Sequence, residues 1–312
     1  MPQVSVIIPN FNHGSFLQNR IESVLNQTMN DIELLIIDDC STDNSRDIIR
    51  LYEHHPKVSF VYYNSANSGS PYSHWPRLFN QANADWIWVA ESDDLADPQF
   101  LETLLPLALS NKEASLVYCD SQIVYTESDT ATYTYALLKK EKYKTSKWTQ
   151  AYKQDGKTEL NDFLKKDCTI NNVSAVLFRK SYAKNIVSQL NGFRHHGDWL
   201  FYIEMAGQGE VIYHPEPLNK YREHTGNHSK KTNGAPFNKT ECFIILDRLL
   251  KKEFITDKKK LINHFIKAYI GFGLIRDRPF SAKGLYYQYK TINPALARQV
   301  LFQLIQSKIL PG

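Results

Sequence analysis

Glu91-Ser92-Asp93-Asp94 puts three acids within four residues, directly behind the apolar run Trp86–Ala90. Like charges this close raise one another's pKa unless a cation or hydrogen-bond donors neutralise them. A hard divalent ion with oxygen ligands is a natural neutraliser, and Mg²⁺ or Mn²⁺ would keep positions open for water and phosphate. A solvated acidic turn capping the next helix accounts for the same spacing. Asp38-Asp39 repeats the arrangement behind the apolar run Ile32–Ile37. There a carboxylate could bind a base edge or a ribose hydroxyl, or cap the helix that follows.

The elements that must position these acids are legible as alternating runs. Val4–Pro9 is a short apolar run ending at Pro, and reads as a buried strand. From Ser15, residues Leu17, Ile21, Val24, Leu25 and Thr28 fall on one helix face. Ile32–Ile37 is the second strand, and Ser41 or Thr42 can cap a helix over Asp43 to Glu53. Val58–Tyr63, Trp86–Ala90 and Ser115–Asp120 are three further strands, and Asp97-Pro98 supplies an N-cap and first-turn Pro for a helix to Leu109. Strands alternating with helices imply right-handed βαβ units and a mostly parallel sheet. Ligands bind such sheets outside the carboxyl ends of the strands. Those ends carry Pro9-Asn10-Phe11-Asn12, Asp38-Asp39 and Asp93-Asp94, so three polar clusters converge on one rim.

Residues 126–156 are Tyr-, Thr- and Lys-rich without clear period and read as a loop. Helices are expected near Thr158–Lys166 and Asp198–Ala206, strands near Ser174–Arg179 and Val211–Tyr213, and a polar loop over Tyr221–Ser229. After Pro236 the pattern is helical, with breaks expected near Thr256, Pro279 and Pro294.

Composition narrows the functional classes. With 42% hydrophobic and 22% charged residues in 312, the chain is neither disordered nor membrane-spanning. No basic n-region or cleavage site precedes the first strand, so a signal peptide is not expected. Cys40, Cys119, Cys168 and Cys242 form no CxxC pair, which fits reduced thiols in a cytoplasmic protein better than a zinc site or disulfide framework. The chain lacks GxGxxG after a strand, GxxxxGK[ST], a nucleophile elbow and HExxH. No nucleic-acid partner is expected.

The ordered series VSVIIPNFN, IESVLNQT, IELLIIDDCSTDNS and ADWIWVAESDD closely resembles the family-2 glycosyltransferases, strongly over residues 3–125 and more loosely over 168–229. The resemblance implies an α/β GT-A fold, a Rossmann-like central sheet flanked by helices. It implies a nucleoside diphosphate sugar donor, a divalent ion (Mn²⁺ or Mg²⁺) bridging the diphosphate and an acidic motif, and inversion at the anomeric carbon. Pro9, Phe11 and Asn12 match the family's P-x-[YF]-N nucleotide loop, with Phe11 packing on the base. Asp39 matches the acid that contacts the base, and Asp38 its neighbour. Asp93 matches the ribose- or metal-side member of the acidic motif and Asp94 the metal ligand, while Glu91 stands where many members have Asp. Asn67-x-Gly69 resembles the family's N-x-G turn. The following PYSHWPRLFNQA departs from the usual A-R-N-x-G, and Arg77 is its candidate diphosphate contact. His196-Gly197-Asp198-Trp199 resembles the [ED]-D segment whose Asp is the general base, with Gly197 in place of the first acid; an N-cap is the alternative role for Asp198. Tyr221-Arg222-Glu223-His224 resembles the late Y-R-x-H element, so Arg222 and His224 become candidate diphosphate and metal contacts, against a plain surface loop.

These readings converge on a GT-A domain over 1–234, with 1–125 as nucleotide-sugar half and 126–234 as acceptor half, and a basic helical region over 235–312. The expected activity is inverting, metal-dependent transfer from a UDP-sugar, or a dTDP- or GDP-sugar, to a glycan or lipid-linked acceptor in surface polysaccharide assembly. The alternatives are a non-catalytic nucleotide-sugar-binding module of the same fold and a nucleotidyltransferase that makes the sugar nucleotide. Residues 239–312 hold 14 Lys and Arg against 5 Asp and Glu, whereas 1–238 hold 23 against 28. This basic tail, with Lys251-Lys252 and Lys258-Lys259-Lys260 beside apolar Leu249, Leu261, Ile262, Phe265 and Ile266, either touches an anionic membrane surface or packs its apolar faces onto the catalytic domain.

Overall fold

The computed structural model describes residues 1–125, 131–227, 235–270 and 282–306. The nucleotide half runs β1 (Val4–Asn10), α1 (Gly14–Leu25), β2 (Ile32–Asp38), α2 (Ser45–Tyr52), β3 (Val58–Tyr63), α3 (Trp75–Gln81), β4 (Trp86–Val89), β5 (Leu95–Ala96) and α4 (Phe100–Leu109). Every residue of β1, β2 and β4 is buried. That is why these strands read as unbroken apolar runs: helices cover both faces. Alternate residues go to opposite layers. Ile7, Leu35, Ile37, Ile87 and Val89 join one apolar cluster, while Val6, Ile8, Leu34, Ile36, Trp86 and Trp88 join the other, under α1, α2 and α4. The expected α1 face ends at Leu25; Thr28 lies beyond it and bonds to the carbonyl of Pro98. Helix α3 was not legible as a helix.

The rest of the chain runs β6 (Ala114–Tyr125), β7 (Ala131–Thr134), α5 (Tyr135–Tyr143), β8 (Tyr152–Asp155), α6 (Gly156–Glu159, continuing as a π turn to Leu164), β9 (Val176–Arg179), α7 (Lys180–Val187), α8 (Gly197–Ala206) and β10 (Glu210–Glu223). The sheet order is β3-β2-β1-β4-β9-β6-β10-β5, with β7 on β6 and β8 on β10. Strands β1 to β4 are parallel and β6 runs parallel to β10, but β9 enters antiparallel between β4 and β6.

Two sequence expectations are corrected. The described part of 126–156 is not a loop but β7, α5 and β8, anchored by Trp148, which is 1% exposed and donates to the Tyr118 hydroxyl. Tyr221–Glu223 is not polar loop but the end of β10, paired in register with Ile123–Tyr125.

The tail forms α9 (Pro236–Lys251), α10 (Lys258–Phe265, continuing as a π turn to Ile270), α11 (Ala282–Lys290) and α12 (Pro294–Gln306). The expected break at Pro279 lies outside the described residues. Leu249, Leu261, Ile262, Phe265 and Ile266 are buried in the same cluster as α3, α7 and α8, and Phe265 stacks on Trp199 at 5.5 Å. These apolar residues of α9 and α10 therefore pack inward, whereas Tyr287 of α11 and Phe302 and Ile305 of α12 are exposed. Among the described residues, no helix is long and apolar enough to cross a membrane.

Candidate active site

The ends of β1, β2 and β4 frame a cavity of about 760 Å³ lined by Pro9, Phe11, Asn12, His13, Asp39, Asn67, His74, Glu91 and His224, among others. Asn10 lies opposite Asp38 in register, so β1 and β2 deliver their polar ends side by side. Asn12 takes a left-handed φ of 55°, a conformation Asn tolerates better than most residues. Its N–H donates to Ser41 Oγ at 2.9 Å and its Oδ1 accepts from Thr42 N at 2.8 Å, which stitches the β1 loop to the β2 loop. Phe11 is 43% exposed and offers an aromatic face to the cavity.

The two adjacent acids after β2 diverge. Asp38 has no exposure; Asn10 Nδ2, Ser41 N and Arg46 Nε donate to it, and it does not line the cavity. It is therefore engaged within the rim, away from the cavity where the sequence reading expected it. Asp39 faces the cavity. It accepts from Asn64 Nδ2 at 2.7 Å, Asn67 Nδ2 at 3.0 Å and Ser68 Oγ at 2.7 Å, and lies 3.0 Å from His74 Nε2. Burial alone would raise its pKa, but the bonds from Asn64 and Ser68 and the His74 ring hold it below the ordinary carboxylate range. Asn67 thus orients Asp39. The turn behind it needs Gly69, whose φ is +71° and whose N–H donates to Asn67 Oδ1. Arg77 is exposed on α3 with its guanidinium 3.9 Å from the Tyr62 ring centroid and does not line the cavity, whereas His74, one turn earlier, does.

The acids after β4 also part company. Asp93 lies 3.1 Å from His224 Nε2, and His13, Asp93 and His224 each bring a ligand atom within 4.8 Å of the others. Burial pushes the Asp93 carboxyl up, but His224 and His13 outweigh it and hold it low. Two imidazoles and a carboxylate can hold a divalent transition ion such as Mn²⁺ and suit Mg²⁺, which favours oxygen ligands, less well. Asp94 is not in that group. Its oxygens accept from Asn172 Nδ2 at 2.9 Å and from the Arg222 N–H at 3.0 Å, and burial with the neighbouring Asp93 raises it to about 6. Of the metal candidates read from the sequence, the structure groups Asp93 and His224 with His13, which that reading missed, and leaves Asp94 outside the group. Glu91 is pushed up to about 8 by burial and then by Asp93 and Asp94. Behind these acids stands Arg20, fully buried on α1 and 5.2 Å from the Trp88 ring. An arginine on the apolar face formed by Leu17, Ile21 and Val24 was the sequence signal that could have found it.

Arg222 has its guanidinium 5.0 Å from the Phe16 ring, and its Nη1 is buried without a hydrogen-bond partner among the described residues. Asn227 holds the turn after it, accepting from His224 N and donating to Arg222 O.

Asp198 sits in the first turn of α8, accepts from Trp199 N at 2.8 Å and receives the Tyr72 hydroxyl at 3.4 Å. Burial raises it to about 6, although the Trp199 and Tyr72 bonds oppose this. A Cβ on Gly197 would stand 2.6 Å from the Tyr72 ring. The glycine in place of the expected acid is thus the residue that lets Tyr72 reach Asp198.

A model of glycosyl transferase family 2 matches residues 5–187. The poly(ribitol-phosphate) beta-N-acetylglucosaminyltransferase TarP of Staphylococcus aureus strain N315 is 36% identical over 121 residues, 38% of this chain and 36% of TarP. The chondroitin synthase of Pasteurella multocida strain Pm70 is 33% identical over 125 residues, 40% of this chain and 13% of that protein. The chain thus spans about an eighth to a third of the length of these curated relatives. Among solved structures, S. aureus TarS 1–349 in complex with UDP-GlcNAc superimposes with a TM-score of 0.67 at 15% identity, covering 98% of this chain and 92% of that one. The mannosyltransferase of Pyrobaculum calidifontis in complex with GDP-Man and Mn²⁺ gives a TM-score of 0.51 at 14% identity, covering 100% and 76%. At these identities the likeness is one of fold, and the fold is GT-A.

Proposed function

The chain belongs to glycosyl transferase family 2, and from that membership we propose that it moves a sugar from a nucleoside diphosphate sugar onto a hydroxyl of a glycan or lipid-linked acceptor in surface polysaccharide synthesis, inverting the anomeric carbon. The observation that carries this reading is one cavity lined at once by the Pro9–Asn12 loop, by Asp39 and by the His224 turn. The donor is UDP-linked by default, with dTDP and GDP as alternatives. The UDP-GlcNAc held by TarS and the GDP-Man held by the Pyrobaculum enzyme support a donor of this class.

In this reading the base packs on Phe11, and the Asp39 carboxylate, kept ionised and oriented by Asn64, Asn67 and Ser68, accepts from its edge. His13, Asp93 and His224 would hold a Mn²⁺ or Mg²⁺ ion, which when bound supplies positive charge against the leaving diphosphate. Arg222 Nη1 is the protein's own donor to that diphosphate. Asp198, ionised, takes the proton of the acceptor hydroxyl as its oxygen bonds to the anomeric carbon and the sugar–diphosphate bond breaks.

The domain reading is 1–234 as the GT-A unit, split into donor (1–125) and acceptor (126–234) halves, and 235–312 as a helical appendage. The enzyme would work in the cytoplasm, with a peripheral contact to the inner membrane face resting on the exposed lysines beside the inward-packed faces of α9 and α10.

A thermal-shift screen of UDP-, dTDP- and GDP-sugars with and without Mn²⁺ tests the function, because any ligand of the native state stabilises it. One nucleotide series should raise the melting temperature, more so with Mn²⁺, and turnover should release the nucleoside diphosphate. No shift and no release with any of them would reject the reading.

A further inference from the structure

A carboxylate from the C-terminal helices reaches into the segment that carries Asp198. Glu241, near the start of α9, is 3% exposed. Its Oε1 accepts from Arg194 N at 2.7 Å, and its Oε2 accepts from His195 N at 3.1 Å and His196 N at 2.7 Å. Three successive amides meet one carboxylate only if the chain curls into a concave nest, a site of positive potential that an anion stabilises. Helix α8 begins one residue later, at Gly197, so the nest also lies at its positive end.

The opposite side of this segment is held from the nucleotide half. Ser70 Oγ donates to the Phe193 carbonyl, and the Tyr72 hydroxyl donates to the His195 carbonyl at 3.1 Å and to Asp198. Residues 193–198 are therefore clamped between the turn before α3 and the side chain of Glu241. The helix bearing Glu241 is itself fixed, because Phe243, Ile245, Leu246 and Leu249 have no exposure. Misplacing a reacting group by about 1 Å can slow a reaction by roughly 10²-fold, so a clamp of this kind acts directly on rate.

We propose that Glu241 is a positioning residue for Asp198, fixing the 194–196 backbone and thereby making the C-terminal helices part of the active site. The proposal rests on Asp198 being the general base. It assigns a role in the reaction to a residue beyond the segment that matches the family, 5–187. Glu241 also acts through space. Burial is the main cause that raises Asp198, and the negative charge of Glu241 adds to it. The other titratable groups facing Asp198 are Tyr72 from the turn before α3, Glu91 from the end of β4, Cys168 from before β9 and Tyr202 from α8.

The test is Glu241→Gln beside Glu241→Asp in the full chain. Gln keeps the shape but loses the charge and one acceptor oxygen; Asp keeps the charge on a shorter arm. Three readouts are followed: calorimetric affinity for UDP with Mn²⁺, hydrolysis of UDP-GlcNAc, and carboxyl ¹³C titration of Asp198, assigned by the signal lost in Asp198→Asn. Glu241→Gln should bind UDP as the parent does, turn over at least about ten-fold more slowly, and move the Asp198 titration to lower pH. Glu241→Asp should also slow turnover but move the titration less. Should Glu241→Gln fail to fold, Glu241→Asp carries the test. Turnover within about two-fold of the parent and an unmoved titration would overturn the proposal. A parent that neither binds UDP nor hydrolyses a sugar nucleotide counts against the glycosyltransferase reading instead, and the titration still decides on Glu241.

Discussion

The Asp93 carboxylate and His224 Nε2 lie 3.1 Å apart although 131 positions separate them in the chain. The contact joins the end of β4 to the turn after β10, beside the cavity that Ser92 and His224 line. His13, whose Nδ1 lies 2.8 Å from Ser92 Oγ, stands against the same pair.

Asp93→Asn should weaken Mn²⁺ binding by at least about ten-fold, since even residues that only support metal ligands are worth roughly 10–100-fold in affinity. Asp94→Asn should weaken it less, because Asp94 is engaged by Asn172 and the Arg222 amide. Electron paramagnetic resonance of free Mn²⁺ during titration, without nucleotide, measures both. Equal losses in the two variants would return the ligand role to Asp94.

Asp198→Asn should leave donor binding near the parental value and slow transfer by roughly 10²–10⁴-fold, the usual loss when a general base is removed. A base works deprotonated, and Asp198 is raised to about 6 by burial. Transfer by the parent should therefore fall as pH drops through about 6, and that limb should vanish in the variant. A pH–rate profile of both proteins is the measurement.

Gly197→Ala should destabilise the fold by about 1–3 kcal/mol, the usual range for overpacking. The added methyl would enter the Tyr72 ring. Tyr72→Ala empties a buried aromatic site and costs stability by itself. With the ring gone, the Gly197→Ala methyl should cost little more, so the two losses should be less than additive. Activity should stay low, because the hydroxyl that reaches Asp198 and the His195 carbonyl is gone. Thermal melts of the two single variants and the double variant give the coupling.

Membrane contact through the tail should be weak and salt-sensitive. Of the two lysine clusters, Lys252, paired with Glu204, and Lys258, bonded to the Leu250 carbonyl, are half-buried. Lys251, Lys259 and Lys260 are exposed, with Lys251 paired to Asp247 and Lys260 to Asp257 at the surface. At about 1 kcal/mol for each lysine near an anionic surface, co-sedimentation with phosphatidylserine vesicles should be visible at low salt and lost in the triple Gln variant. Binding that survives the triple variant would place the contact elsewhere.

Local pattern was enough for the layers and for the rim. Strands β1, β2 and β4 are buried on both faces, so their apolar runs are continuous, and the polar clusters that end them could only fall at the sheet edge. Family-like spacing then marked Asp39, Asp93, Asp198 and His224. Which member of each acidic pair turns inward was a matter of tertiary structure. Asp38 goes to Arg46 and Asn10 while Asp39 goes to the cavity, and Asp94 goes to Asn172 while Asp93 goes to His224. The same holds for β7, α5 and β8. Helix α5 buries only Ala136 and Lys139, which leaves no apolar stripe to read. The end of β10 is a strand because β6 lies beside it to complete the ladder, not because Tyr-Arg-Glu favours one. Glu241 shows the limit most plainly. A Glu on a helix is ordinary in sequence, and its meaning arises only where packing brings α9 against three amides of a distant loop. Periodicity records which face of an element is buried. The partner of a buried charge is chosen by contacts between segments far apart in the chain, and those leave no local trace.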